Sequence, residues 1–345
     1  MIRTDPVVSV VIAAYSTKQE YFQESIESIL RQTLRNFELI VVDDGLSEEN
    51  RSYLARLNDS RLKVLVNEKN VGQSISVNKG ISISQGKYIA RMDSDDIATP
   101  NRLSSQVSYM ESHPECIACG GFAERTDNHK IVPVNYPDID SRRMGFFWGC
   151  DMIHPTMMIR RSSLSEFGIR YDENQRYAQD YMIWIDFMLR GEIGIVPDVV
   201  LRYRIHPGQI TAVKRAAQDE YAVRAQKKLY KQFGFNIDSI DFYLHNRIAK
   251  YDVKAPLSKI VSHLQGLVSQ AKHCLSRREM KLFKKEVDFR AVKAAVREIA
   301  NRGNIFNGVV LLVFYGFRFW DWGYYAARIK PARLEQQKYG KEIMG

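Results

Sequence analysis

Two groups of carboxylates stand where apolar runs stop. Asp43-Asp44-Gly45 follows Glu38–Val42, and Asp93-Ser94-Asp95-Asp96 follows Tyr88–Met92. Carboxylates crowded at one locus repel one another unless a cation compensates, and hard oxygen ligands favour Mg²⁺ or Mn²⁺. A divalent ion so placed suits a diphosphate, whose charge it neutralises as a leaving group departs. The competing explanation is that each Asp only caps the helix that follows it. One pair fits that explanation; two clusters at two strand ends fit a shared ligand better.

The elements that must position these clusters alternate. Val7–Ala13 is a β-branched run of the kind buried on both faces of a sheet, and Glu38–Val42, Leu62–Val66 and Tyr88–Met92 read as further strands. Between them, Gln19–Gln32, Ser47–Leu57 and Gly72–Ser84 carry helical periodicity, and Pro100 opens a helix running to about Ser112. Strand–helix alternation predicts right-handed βαβ units, hence a mostly parallel α/β sheet with helices on both faces. Such sheets bind ligands outside the carboxyl ends of their strands, so both clusters face one crevice. From Cys116 the pattern is mixed, with strands at Ile117–Phe122, Thr156–Ile159 and Val199–Ile205 and a helix at Tyr181–Leu189. After Thr211 strand alternation stops, and Ala216–Phe233, Leu257–Leu275 and Arg277–Ala300 read as helices.

Charge divides the chain at the same place. Residues 211–345 carry 26 Lys and Arg against 12 Asp and Glu, whereas residues 1–210 carry 24 against 28. The chain of 345 residues therefore reads as a catalytic domain over 1–211 and a basic helical region over 212–345 that suits an anionic partner. Four cysteines in a chain this long form no disulfide framework and read as reduced thiols. Cys116 and Cys119 have the spacing of half a zinc site, but no second pair follows, and buried strand cysteines are the simpler reading. The amino terminus lacks the apolar stretch of a secretion signal, and no uncharged apolar run reaches the ~18–20 residues of a membrane span. A cytoplasmic protein is the expectation.

Many separate motifs, in order, resemble glycosyltransferase family 2. They begin with Val8-Ser9-Val10-Val11-Ile12-Ala13-Ala14-Tyr15, Ser25-Ile26-x-Ser28-Ile29-Leu30-x-Gln32-Thr33 and Phe37-Glu38-Leu39-Ile40-Val41-Val42-Asp43-Asp44-Gly45. Asn70-x-Gly72, Asn78-x-Gly80-Ile81, Gly86-x-Tyr88-Ile89-Ala90-Arg91-Met92-Asp93-Ser94-Asp95-Asp96, Pro100-x-Arg102-Leu103 and Gln106 continue the series. His154-Pro155-Thr156, Gln179-Asp180-x-x-x-Trp184 and Tyr203-Arg204-Ile205-His206 complete it, so the match covers about residues 7–211.

The resemblance implies a GT-A, Rossmann-like fold and an inverting single displacement from a nucleotide-diphosphate sugar, of the UDP class, to a hydroxyl of a surface glycan or its lipid-linked precursor. Donor binding then falls to Ala13, Tyr15, Asp44, Asn70, Asp93 and Asp95, with Tyr15 against the base and Asp44 accepting a hydrogen bond from it. Asp95 and His206 would hold Mn²⁺ or Mg²⁺, supported by Asp96, and Asp180 would be the general base. His154 suits either acceptor-site packing or catalysis, and Arg91 either a phosphate or a structural carboxylate. Asp180 also suits a simple helix N-terminal charge, and Trp148 and Trp184 suit packing. Three departures stand out: Ala13-Ala14-Tyr15 lacks a common proline, Ser16 replaces an Asn, and Gln179 stands where glutamate is common. A nucleotidyltransferase would show a glycine-rich, Arg-containing loop after the first strand, which residues 13–18 lack; an inactive glycan-binding scaffold would not need Asp44, Asp93, Asp95, Asp180 and His206 intact.

Residues 305–320 are apolar and aromatic but interrupted by Arg318, too short to span a bilayer and suited to its interfacial region. Upstream, Arg277, Arg278, Lys281, Lys284, Lys285, Arg290, Lys293 and Arg297 form a basic run. Together they read as attachment to an anionic membrane surface on its inner face, with a docked buried helix as the alternative. No nucleic-acid module is recognisable, and nucleic acid is not an expected partner.

Overall fold

Strand β1 (Val8–Ala14) is flanked in parallel by β2 (Phe37–Asp43) and β4 (Tyr88–Arg91), with β3 (Leu62–Val66) parallel beyond β2. The protein, here a computed structural model, is described over residues 5–132, 134, 138–206, 215–250 and 255–302. It divides into two compact units, Met1–Val134 with Met152–Tyr221, and Asn135–Asp151 with Ala222–Gly345.

In the first unit the sheet order is β3-β2-β1-β4-β8-β6-β9-β5, with β7 beside β6. The added strands are β5 (Ile97–Ala98), β6 (Cys116–Arg125), β7 (Ile131–Val132), β8 (Met158–Arg160) and β9 (Glu192–Tyr203). β8 runs antiparallel to both β4 and β6, while β6 and β9 are parallel. β1 and β2 are buried almost throughout because helices cover both faces, as their mostly apolar sequences require. Alternate residues face opposite sides of a strand. Val8, Val10 and Ile12 share a core with Phe22, Ile26 and Ile29 of α1 (Gln19–Leu30) and Leu103 and Met110 of α4 (Arg102–Ser112). On the other side, α3 (Gln73–Ser82) brings Gly80 against Val11 and Val42, so close that a Cβ at Gly80 would lie 2.5 Å from Val11 Cγ1.

Helix α2 (Glu48–Arg56) starts where expected, with the Ser47 hydroxyl accepting from Asn50 N. α4 begins two residues after Pro100, whose carbonyl accepts from Thr33 N at 3.0 Å. Strand β9 starts seven residues before the expected Val199, and its register against β6 steps from Gly121↔Val196 to Phe122↔Val199. That step skips Pro197 and Asp198, so the proline that breaks the strand pattern in sequence sits at an irregularity in the ladder. Cys116 and Cys119 are buried on β6, and burial pushes the Cys119 thiol up to about 12.

The second unit is helical in its described residues. α5 (Ile139–Gly145) was not legible in the sequence, and the segment 135–151 groups with the helices rather than with the sheet that surrounds it in sequence. The reason is aromatic packing: Phe147 lies 4.7 Å from Tyr230 and 5.3 Å from Phe283, edge to face, and Trp148 stacks on His245 at 4.4 Å. The helices are Arg215–Gln232, Phe242–Ala249, Leu257–Cys274 and Arg277–Arg302. The interfacial segment expected at 305–320 lies outside the described residues.

Candidate active site

The carboxyl ends of β1, β2 and β4 lie side by side, as the parallel registers Ala14↔Asp43 and Val11↔Arg91 require. The two aspartates at the carboxyl end of β2 have different duties. Asp43 is buried; Oδ1 accepts from Gly45 N at 2.9 Å and Leu46 N at 2.7 Å, and Oδ2 takes Arg51 Nε at 2.7 Å. Burial alone would raise its pKa, but Arg51 and those two N–H groups outweigh it and hold the carboxyl below the ordinary value. Its contacts hold the turn after β2 and tie it to Arg51 of α2, whose cap is Ser47.

Asp44, also buried, reaches further. Oδ1 accepts from Asn67 Nδ2 and Val71 N, both at 2.8 Å, and Oδ2 accepts from Gly72 N at 2.9 Å. The Asn70 amide returns a bond of 3.1 Å to Asp44 O, so Asp44 anchors the loop that enters α3. Beside it Tyr15 is 61% exposed at the end of β1, its side chain open to solvent. Its ring passes so close to Gly45 that a Cβ there would lie 2.9 Å from Tyr15 Cδ2, and Gly45 has φ +125°. Ala13 is half-buried on the same strand.

After β4 the three carboxylates are graded in depth. Asp93 and Asp95 are partly exposed, whereas Asp96 is 1% exposed. Asp93 Oδ1 meets Arg91 Nη2 at 2.5 Å and accepts from Gln73 Nε2 at 3.1 Å. Asp95 Oδ2 lies 2.9 Å from His206 Nε2. Asp96 Oδ1 accepts from Arg204 N at 2.9 Å, while Oδ2 has no hydrogen-bond partner among the described residues. Burial, with the neighbouring Asp93, raises the Asp95 carboxyl; burial, Asp93 and Asp95 push Asp96 well above its ordinary value. Arginines answer part of this charge from below. Arg91 is buried against Asp93, Arg102 is fully buried and donates Nη2 to Arg91 O at 2.7 Å, and Arg204 Nε donates to Asp95 O at 2.7 Å. Arg204 also pairs with Glu24 and lies 4.1 Å over the Tyr21 ring. Burial brings Arg102 down to about 10.

The expected base opens α7 (Gln179–Arg190), which follows α6 (Arg161–Phe167) in the chain, and the residue before α7, Ala178, holds a left-handed φ of +49°. Such a conformation costs a non-glycine residue about 1–3 kcal/mol and clusters at functional sites. Asp180 is half-buried, its Oδ1 accepting from Tyr181 N at 2.7 Å. Burial raises its carboxyl above the ordinary value against the pull of Tyr181 N and Arg91, which makes it a stronger base once ionised. Behind it His154 is buried, with Nε2 3.0 Å from the Tyr171 hydroxyl and its ring edge-on to Trp184. Burial, then Arg91, keeps the imidazole neutral, well below its ordinary pKa. His154 and Trp184 therefore pack rather than line a surface.

The fold thus gathers Asp93, Asp95, Asp96, Arg91 and His206 in one group and Asp44 with Asn70 in a second. Sequence reasoning missed Gln73, whose Oε1 accepts from Gln179 Nε2 while its Nε2 donates to Asp93. It also missed Tyr171, Arg204 as a clamp, and the reach of Asn78, whose amide bonds Tyr171 O at 2.9 Å and Tyr171 N at 3.1 Å. The signal available for Asn78 was its place in the Asn78-x-Gly80 motif; an isolated Gln at a helix start carries none. Among the described residues, one trio of ligand-type side chains has its atoms within 4.8 Å of one another: Glu115, Cys116 and Glu192, at the starts of β6 and β9.

The chain resembles S. aureus TarS 1-349 in complex with UDP-GlcNAc with a TM-score of 0.60 at 16% identity, over 89% of this chain and 91% of that one. The fold is GT-A. Residues 9–168 match the family described as Glycosyl transferase family 2. An uncharacterized glycosyltransferase of Haemophilus influenzae is 30% identical over 266 residues, covering 72% of this chain and 80% of that protein. The chain belongs to glycosyltransferase family 2 and is a glycosyltransferase. It is also 26% identical over 276 residues, 79% of this chain and 98% of the relative, to the Escherichia coli UDP-Glc:alpha-D-GlcNAc-diphosphoundecaprenol beta-1,3-glucosyltransferase WfaP.

Proposed function

We propose that this glycosyltransferase moves a sugar from a UDP-sugar to a hydroxyl of a lipid-linked glycan, with inversion, in surface polysaccharide synthesis. The observation that carries the reading is Asp180: a half-buried carboxylate with a raised pKa, next to a residue bonded through Gln73 to Asp93. In the first unit Tyr15 offers an exposed ring for the base, the Asp44-anchored loop with Asn70 borders the nucleotide, and Asp93 reaches the sugar or ribose. Asp180 takes the proton from the acceptor hydroxyl as that oxygen bonds the anomeric carbon and the bond to the diphosphate breaks on the opposite face. Arg91 holds Asp93 and lends positive potential to the same locus.

Asp95 and His206 fit a divalent ion: their ligand atoms converge to 2.9 Å, and the partnerless Asp96 Oδ2 adds an unsatisfied acceptor beside them. Mn²⁺ or Mg²⁺ commonly takes one or two protein ligands and completes its shell with phosphates and water. Bound there, it would supply charge neutralisation for the departing diphosphate. The acceptor class rests on likeness to WfaP, whose name gives a diphosphoundecaprenol acceptor. No helix among the described residues is long and apolar enough to cross a membrane. The basic second region is proposed to meet the anionic inner face of the cell membrane, keeping the protein cytoplasmic and peripheral.

A panel of nucleotide sugars, with Mn²⁺ and a GlcNAc-diphospho-lipid acceptor, tests the reading. UDP release with a product of inverted anomeric configuration supports it; no turnover of any donor, or a retained configuration, overturns it. Co-sedimentation with vesicles bearing anionic lipid, weakening with salt, tests the membrane contact, and a protein left in the supernatant at low salt refutes it.

A further inference from the structure

Helix α3 touches both halves of the proposed reaction. Its entry is tied to β2, because Val71 N and Gly72 N bond the Asp44 carboxylate at 2.8 and 2.9 Å. Its next turns grip the segment leading to the base: Ser74 Oγ donates to Gln175 O at 3.3 Å, and Asn78 bonds Tyr171 on both its N and its O. Between these grips lies Gln73, the first helical residue. Its amide donates to Asp93 Oδ1 at 3.1 Å and accepts from the Gln179 amide, one residue before Asp180.

The chemistry fixes which way this amide points. An ionised Asp93 only accepts, so the NH₂ end of Gln73 must face it, and the oxygen end must face a donor. Gln179 supplies that donor; an ionised carboxylate in its place would not. Gln73 and Gln179 are therefore a matched pair.

We propose that Gln73 is a positioning residue, setting the start of α7, and with it the Asp180 carboxylate, against the donor-side Asp93. This rests on the transferase reading above and deepens it. Gln73 touches neither reacting atom; it acts by holding Gln179 in a turn that Ala178 enters in a left-handed conformation, a geometry that needs support from outside.

Hydrogen exchange on the full-length chain tests the link without reference to turnover. Gln73→Met, similar in size but unable to donate or accept, should speed exchange in the first turns of α7 about tenfold and leave α1 unchanged. Unchanged exchange in α7 overturns the link, and equal acceleration in α1 shows general destabilisation and overturns it as well. Kinetics ask whether the link serves chemistry: Gln73→Met should lower kcat for transfer about 10–100-fold with UDP affinity within about threefold of wild type. Gln179→Met should do the same, and the double variant should be no worse than either single one. A wild-type kcat in Gln73→Met, or fully additive losses in the double variant, overturns the positioning role. A wild-type enzyme that turns over no donor overturns the transferase reading instead.

Discussion

Replacing Asp44 by Asn separates two duties that one carboxylate could have. As an anchor, Asp44 accepts three N–H bonds, from Asn67, Val71 and Gly72. Asparagine keeps the shape but must turn an NH₂ toward one of those donors. The cheaper choice gives up the Oδ2 side, which loses the 2.9 Å bond from Gly72 N and sets two donors face to face. A hydrogen bond to a charged acceptor contributes about 1.5–3 kcal/mol, and the two bonds that survive are weakened once the charge is gone. The loss is therefore about 2–4 kcal/mol, which lowers the melting temperature of a unit this size by roughly 5–15 °C. Because the released loop carries Asn70, UDP affinity should fall with stability. Differential scanning calorimetry and UDP titration on Asp44→Asn read both. If Asp44 serves only to accept a bond from the base, affinity falls at a wild-type melting temperature; that result refutes the anchoring argument.

Gly80→Ala should destabilise the first unit by about 1–3 kcal/mol, because its Cβ would stand 2.5 Å from Val11 Cγ1 and 3.3 Å from Val42 Cγ2 under a covering helix; urea unfolding gives the value, and a wild-type midpoint contradicts it. In the second unit His245 is fully buried, with Nε2 donating to Phe147 O at 2.8 Å and Nδ1 facing His263 at 3.3 Å. Burial, then His263, lowers it to about 3. Since that lies below the unfolded value of about 6.5, the unfolded chain binds the proton first, and stability falls as pH drops from about 6.5 toward 3. Between pH 7 and pH 5 this residue alone should cost about 2 kcal/mol; equal urea midpoints for the second unit at the two pH values would contradict the burial argument. Asp95→Ala should abolish the Mn²⁺ dependence of UDP binding in a calorimetric titration, and an unchanged metal dependence would move the ion elsewhere.

The strands and helices of the first half were legible because each satisfies one simple rule. β1 and β2 are mostly apolar runs, and that of β2 gives way to Asp43 and Asp44 at its carboxyl end. Legibility failed where tertiary context overrides local pattern. Pro197 and Asp198 hide the first half of β9, because only the ladder with β6 shows that two residues can be skipped there. Segment 135–151 reads as part of the α/β domain until Phe147 and Trp148 are seen among the aromatic rings of Tyr230, Phe283 and His245. At the site, motif order pointed to Asp44, Asp93, Asp95, Asp180 and His206, but not to what holds them. Asp43 and Asp44 are adjacent and identical in type, and only their hydrogen-bond partners distinguish the one that holds the turn after β2 from the one that anchors the loop into α3. Gln73 is invisible in the sequence because its meaning lies in contacts 20 and 106 residues away.

Asp180→Asn tests the central claim most directly, with UDP affinity and the rate of sugar transfer measured on the same preparation. The raised carboxyl of Asp180 also places the acid limb of kcat/KM above the ordinary aspartate range, with activity lost as pH falls through it. The account predicts UDP affinity near wild type, transfer reduced by about 10²–10⁴-fold, and the loss of that acid limb from the residual rate. Near-normal transfer by Asp180→Asn would contradict it.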